Sequence, residues 1–140
     1  MKVVINACYG GFSISSRAIY ELAKLNGKTA YFFKGGLNEP YKEVPLKEAE
    51  SMWITAFSTN DLSIINNKNK IESFWDEYYL TSRPDDRTDA KLIEVIEKLG
   101  DNANGECSKL KVIEIPDGIE YEIDEYDGFE HIAEKHRIWN

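Results

Sequence analysis

Two stretches of the chain carry a clear helical period. Leu92, Val95, Ile96 and Leu99 recur at i, i+3, i+4 and i+7, while Lys91, Glu94, Glu97 and Lys98 take the opposite face. That stripe predicts an amphipathic helix. Thr88 or Asp89 supplies its N-cap and Gly100 its stop. Nearer the N-terminus, Ala18, Ile19, Leu22 and Ala23 form a second stripe. Ser13, Ser15 or Ser16 caps it, and Asn26-Gly27 ends it because both residues tolerate the left-handed conformation.

Strands are expected where apolar residues run without that period. Val3 to Ile5 precedes the first helix and Thr29 to Phe33 follows it, so the chain opens strand, helix, strand. The helix is long enough to act as a crossover, which predicts parallel pairing of those two strands. Lys34 to Pro40 reads as a loop, Pro45 to Ala49 as a helical turn, and Met52 to Phe57 and Phe74 to Leu80 as strands. Between them, Ser58 to Lys70 is asparagine-rich and weakly patterned, a surface excursion. Leu110 to Ile115 is another strand, closed by Pro116-Asp117-Gly118.

Near the C-terminus the period changes to two. If Asp127-Gly128 form a two-residue turn, Tyr126 opposes Phe129 and the register of both strands follows. Asp124 then faces His131 and Glu120 faces Lys135, while Ile123 meets Ile132, Tyr121 meets Glu134 and Ile119 meets His136. Opposite charges pair on one face and apolar residues on the other. In this register Glu134 and His136 point toward the core. The expected fold is α+β, one domain over residues 1–140. It has a mixed sheet of roughly five to seven strands, an N-terminal β-α-β unit, a second amphipathic helix and a C-terminal β-hairpin.

Composition narrows the functional classes. A net charge of −8, from 25 acidic and 17 basic residues, repels phosphate backbones and argues against nucleic acid as partner. No run approaches transmembrane length and the N-terminus lacks a signal peptide, so no membrane partner and a cytoplasmic location are expected. Cys8 and Cys107, far apart in sequence, fit a reducing compartment. Two cysteines and two histidines, none at ligand spacing, give zinc no home, and the carboxylates follow no calcium-loop pattern. No metal and no cofactor are expected.

The candidate chemistry starts at Asn6-Ala7-Cys8-Tyr9-Gly10-Gly11, between the first strand and the first helix. Adjacent glycines let a ligand approach the main chain, and free N–H groups at a helix N-terminus attract anions. Asn6, Cys8, Tyr9, Gly10, Gly11, Ser13 and Ser15 are therefore candidate ligand-binding residues. The turn has neither the lysine of a phosphate-binding loop nor the spaced glycines of a dinucleotide fold, so a tight structural connection is the alternative. Cys8, ahead of a helix, is a candidate nucleophile with His136 as base, or a packed small hydrophobe. In Arg83-Pro84-Asp85-Asp86-Arg87, Arg83 is a candidate anion contact, and the alternative is a salt-bridged loop capping the helix. Glu134, His136 and Arg137 form a C-terminal polar group that serves either as a site or as ion pairs ending a hairpin.

The segment Asn6-Ala7-Cys8-Tyr9-Gly10-Gly11-Phe12-Ser13 resembles the opening of a family of small proteins common in bacteriophage and prophage genomes. Asp89 to Gly100, Ala103-Asn104-Gly105, Leu110 to Pro116, Glu125-Tyr126-Asp127-Gly128 and Ala133-Glu134-Lys135-His136-Arg137-Ile138-Trp139 resemble later parts of the same family. The likeness implies phage origin, the host cytoplasm as location, and an accessory role in infection such as evasion of host defence. It implies no catalytic residues. The leading expectation is a binding protein that captures an anionic or nucleotide-like small molecule. A Cys8/His136-dependent transferase or hydrolase, and an acidic protein that inhibits a host factor, are the alternatives.

Overall fold

A computed structural model describes residues 1–34, 42–51, 56–58 and 82–135. In chain order these hold β1 (Lys2–Asn6), α1 (Ser16–Leu25), β2 (Tyr31–Lys34), β3 (Lys42–Val44), α2 (Leu46–Glu50), β4 (Ala56–Ser58), α3 (Ala90–Leu99), a 3₁₀ turn (Gly100–Ala103), β5 (Leu110–Glu114), β6 (Tyr121–Tyr126) and β7 (Phe129–Glu134). The fold is α+β with a C-terminal hairpin. The strand expected at Phe74 to Leu80 and the excursion Ser58 to Lys70 fall, apart from Ser58, outside the described residues.

The two helices follow their apolar stripes. α1 buries Ala18, Ile19, Leu22 and Ala23, and α3 buries Leu92, Val95 and Ile96. Each starts where a side chain accepts from a first-turn N–H: Ser15 from Ala18, and Asp89 from Lys91. The buried faces meet one another together with Phe12, Ile14, Phe32 and Val44, which makes one continuous core.

The sheet differs from expectation. Every ladder among the described residues is antiparallel, in three small sheets ordered β1-β5, β3-β2-β4 and β6-β7. β1 and β2 are not partners. β1 pairs with β5 from Lys2↔Glu114 to Asn6↔Leu110. Its other edge is already occupied: the Val4 N–H donates to the Arg87 carbonyl (2.9 Å) and the Asn6 N–H to a Glu130 carboxylate oxygen (2.8 Å). No edge remains for a parallel β2, so the helix delivers the chain to a separate sheet.

The hairpin keeps the expected register through Tyr126↔Phe129, Ile123↔Ile132, Asp124↔His131 and Tyr121↔Glu134. Asp127 and Gly128 have φ of 50° and 85°, the left-handed pair of a turn that matches strand twist. The inward direction of Glu134 needs correction, because it is exposed. It shares a face with Glu130 and Ile132, but the core ends before the strand does. The buried acid of that face is Glu130, 6% exposed.

Candidate functional site

Asn6 ends β1 with no solvent exposure, so its amide needs internal partners. The amide nitrogen donates to the carbonyls of Cys8 and Gly128, both at 2.8 Å, and its oxygen accepts from the Lys109 N–H at 2.8 Å. One side chain thus joins the glycine turn, the start of β5 and the hairpin tip. It faces main chain rather than an open site.

Arg87 and Glu130 form the second part of this junction. The guanidinium makes two bonds to the carboxylate, at 2.8 and 3.0 Å. It also donates to the Val4 carbonyl (3.3 Å) and lies over the Phe12 ring, 3.5 Å from its centre. Both side chains are largely buried. Fork geometry and stacking suit arginine here in a way lysine cannot match. The salt-bridged reading of the 83–87 loop therefore holds for Arg87. Asp86 caps the same loop: its carboxylate accepts from the Thr88 hydroxyl and N–H, which hold its pKa below the usual carboxylate value.

The glycine turn packs against the hairpin tip. The Gly10 N–H donates to the Asp127 carbonyl (3.2 Å), and a Cβ on Gly10 would sit 2.7 Å from the Cys107 Cβ. A Cβ on Gly128 would collide with the Gly11 nitrogen. Gly11, with φ of 99°, has open space on its Cβ side. Gly11 also lines a cleft of about 320 Å³, together with Phe12, Arg83, Asp85, Arg87, Glu125 and Glu130. Gly11 and Arg83, singled out separately in the sequence, share this cleft.

A second cavity, of about 490 Å³, lies at the N-terminus of α1 beside Ser15, Ser16 and Arg17. Several donors at or beside it are engaged. The N–H groups of Ile14 and Ser15 bond the carbonyls of Ser82 and Ala103, and the Ser15 hydroxyl donates to the Asn102 carbonyl at 2.6 Å. Arg17 is held by Glu50 at 2.6 Å, and Asp101 adds a further carboxylate.

The remaining candidates are dispersed. Cys8 is half-buried, a free thiol that donates to the Tyr9 carbonyl (3.2 Å). Tyr9 is exposed and stacks on Phe129 with ring centres 5.4 Å apart. The Ser13 carbonyl accepts from the Gly105 N–H and the Ser108 hydroxyl. His136 and Arg137 lie outside the described residues, so the Cys8/His136 pair has no described geometry. Sequence reasoning missed Arg87 and Glu130 as partners, although the hairpin register already put Glu130 on the Ile132 face.

Among the described residues, no group of three or more His, Cys, Asp or Glu side chains is arranged to hold a metal. Among those same residues, no helix is long and apolar enough to cross a membrane. The chain matches no known protein family, no curated protein and no solved structure.

Proposed function

We propose that this chain is a phage accessory protein that sequesters an anionic, nucleotide-like small molecule in the host cytoplasm, without turning it over and without nucleic acid as partner. The phage assignment rests on the N- and C-terminal motif resemblance. The observation that carries the binding reading is the cleft shared by Gly11 and Arg83. In this reading the ligand lies in that cleft rather than at the N-terminus of α1, where the Ile14 and Ser15 N–H groups already have partners.

The lining suits a mixed ligand. Arg83 brings to the lining a guanidinium whose geometry matches a phosphate or carboxylate, and Asp85 and Glu125 bring carboxylates that can accept from hydroxyl or amino groups. Arg87 is neutralised by Glu130 and keeps the wall rigid. Inorganic phosphate would meet two carboxylates with only its P–OH groups to offer them. A nucleotide brings both the anion and the donors.

Thermal shift against mononucleotides, cyclic nucleotides and ADP-ribose tests the reading. At a hundredfold excess over Kd a ligand specific for the folded state adds about 2.7 kcal/mol, a rise of several degrees in Tm. Inorganic phosphate should leave Tm unchanged. Gly11→Val should remove the nucleotide shift, measured against its own baseline, because a branched side chain strains a wall residue of the cleft held at φ 99°. Arg17→Ala, in the other cavity, should retain it. An unchanged Tm with every nucleotide, or an equal shift in Gly11→Val, overturns the proposal.

A further inference from the structure

Beside the cleft, the hairpin tip presents three large aromatic side chains to solvent. Tyr126 is 77% exposed, Tyr9 63% and Phe129 38%. They are contiguous: Tyr126 is the cross-strand partner of Phe129, and Tyr9 stacks on Phe129. Single exposed apolar residues need no explanation, but a joined aromatic patch marks an interaction surface. Aromatic residues are the usual anchors of protein interfaces.

The patch is also rigid. Gly128 is held by Asn6 from one side and by Glu125 from the other, and Asp127 accepts from Gly10. The Arg87–Glu130 pair fixes β7 one residue beyond Phe129. A turn of this type needs none of these extra ties. They pre-order the aromatic rings, which lowers the entropy lost when a partner docks.

Charge selects the partner. Glu122 and Asp124 share the strand face of Tyr126, Asp127 sits at the turn, and positions 120–134 contain no lysine or arginine, His131 pairing with Asp124 at 3.5 Å. Nucleic acid would stack on the rings but be repelled by the acidic border. Anionic membrane headgroups meet the same repulsion. A second copy of this chain would bring like charge against like. We infer that the Tyr9–Tyr126–Phe129 patch docks a cationic protein segment, whose arginine or lysine side chains lie over the rings while the surrounding carboxylates pair with neighbouring basic groups. None of the three rings lines the proposed small-molecule cleft, so either site can fail without the other.

The test uses the full chain and a short peptide of alternating arginine and glycine, with a glutamate-glycine peptide as control. Backbone amide NMR shifts on titration should cluster at residues 9 and 122–130, weaken with added salt and be absent with the acidic peptide. Tyr126→Ser and Tyr9→Ser remove exposed rings and should leave Tm near wild type. Together they should weaken peptide binding roughly tenfold or more. Shifts spread over the acidic surface and indifferent to the two substitutions would reduce the interaction to non-specific charge and overturn the proposal. Absence of peptide binding would also overturn it. So would concentration-dependent self-association that Tyr126→Ser abolishes, which would make a second copy the occupant.

Discussion

The helical core and the β1 junction hold the molecule together by opposite means. Between α1 and α3, stability comes from many interchangeable apolar contacts: Ile19, Leu22, Leu92, Val95 and Ile96 share one cluster, and no single atom decides the geometry. Around β1, three polar side chains do what a neighbouring strand would do. Arg87 closes the edge at Val4, Glu130 closes it at Asn6, and Asn6 ties the edge to the hairpin tip. An open edge is a liability in any sheet. Here it is closed by an ion pair and an amide, and the proposed cleft and docking patch both lie against that closure. Substitutions should therefore be graded by methylene in the core and abrupt at the junction.

Glu130→Ala should give the largest effect. It leaves the Arg87 guanidinium buried without its partner and the Asn6 N–H without an acceptor, a loss of about 3–5 kcal/mol by analogy with broken buried pairs. Replacing both partners, as in Arg87→Met with Glu130→Leu, removes the stranded charge and should recover part of that loss. It cannot recover all of it, because the Val4 carbonyl and Asn6 N–H would remain unpartnered. Urea unfolding of the two single variants and the double variant yields the coupling. Additive losses would mean the pair acts as two independent packing residues, and the contrast between the regions would dissolve.

A matched pair of small changes sharpens the same contrast. Asn6→Asp is nearly isosteric, yet it turns a donor to two carbonyls into a carboxylate facing them. The expected loss is about 3 kcal/mol, from two hydrogen bonds and the repulsion that replaces them. Ile96→Val deletes one methylene from the α1–α3 core, and the expected loss is ~1 kcal/mol. Calorimetry on both variants ranks them, and equal losses would contradict the picture of an abrupt junction beside a graded core.

How much of this was legible in the sequence depends on the range of the interaction. Helix faces, the Ser15 and Asp89 caps and the hairpin register are local: a few adjacent residues determine them, and Asp127-Gly128 alone sets the phase of six cross-strand pairs. The partner of β1 is not local. Val3 to Ile5 reads the same whether its neighbour is β2 or β5, so the short path through α1 suggested a parallel pair that does not form. Asn6 stood out as a candidate ligand-binding residue, but its side chain bonds the main chain of Lys109 and Gly128, more than a hundred positions away. The register puts Glu130 on the Ile132 face, but its partner Arg87 lies 43 positions away and only the fold brings them together. Gly11 and Arg83 stood out individually, and only the tertiary structure gives them a common cleft.

The smallest expected effect concerns the exposed rim of the junction. Asp86 bonds the Thr88 hydroxyl and N–H at the start of the turn that leads into α3, and these bonds lower its pKa. A carboxyl whose folded pKa is depressed contributes stability above its unfolded pKa of about 3.9, and loses it as pH falls through the folded value. Asp86→Asn keeps an oxygen that accepts from Thr88 but removes the charge. At neutral pH the variant should melt lower than wild type, by on the order of 1 °C, since solvent screens an exposed group. Once the pH has fallen through that lowered value the wild-type carboxyl is itself protonated, and the two curves should converge. Tm measured from pH 7 to pH 2.5 checks the sign. A gap that stays constant across that range would mean that Asp86 acts through geometry alone.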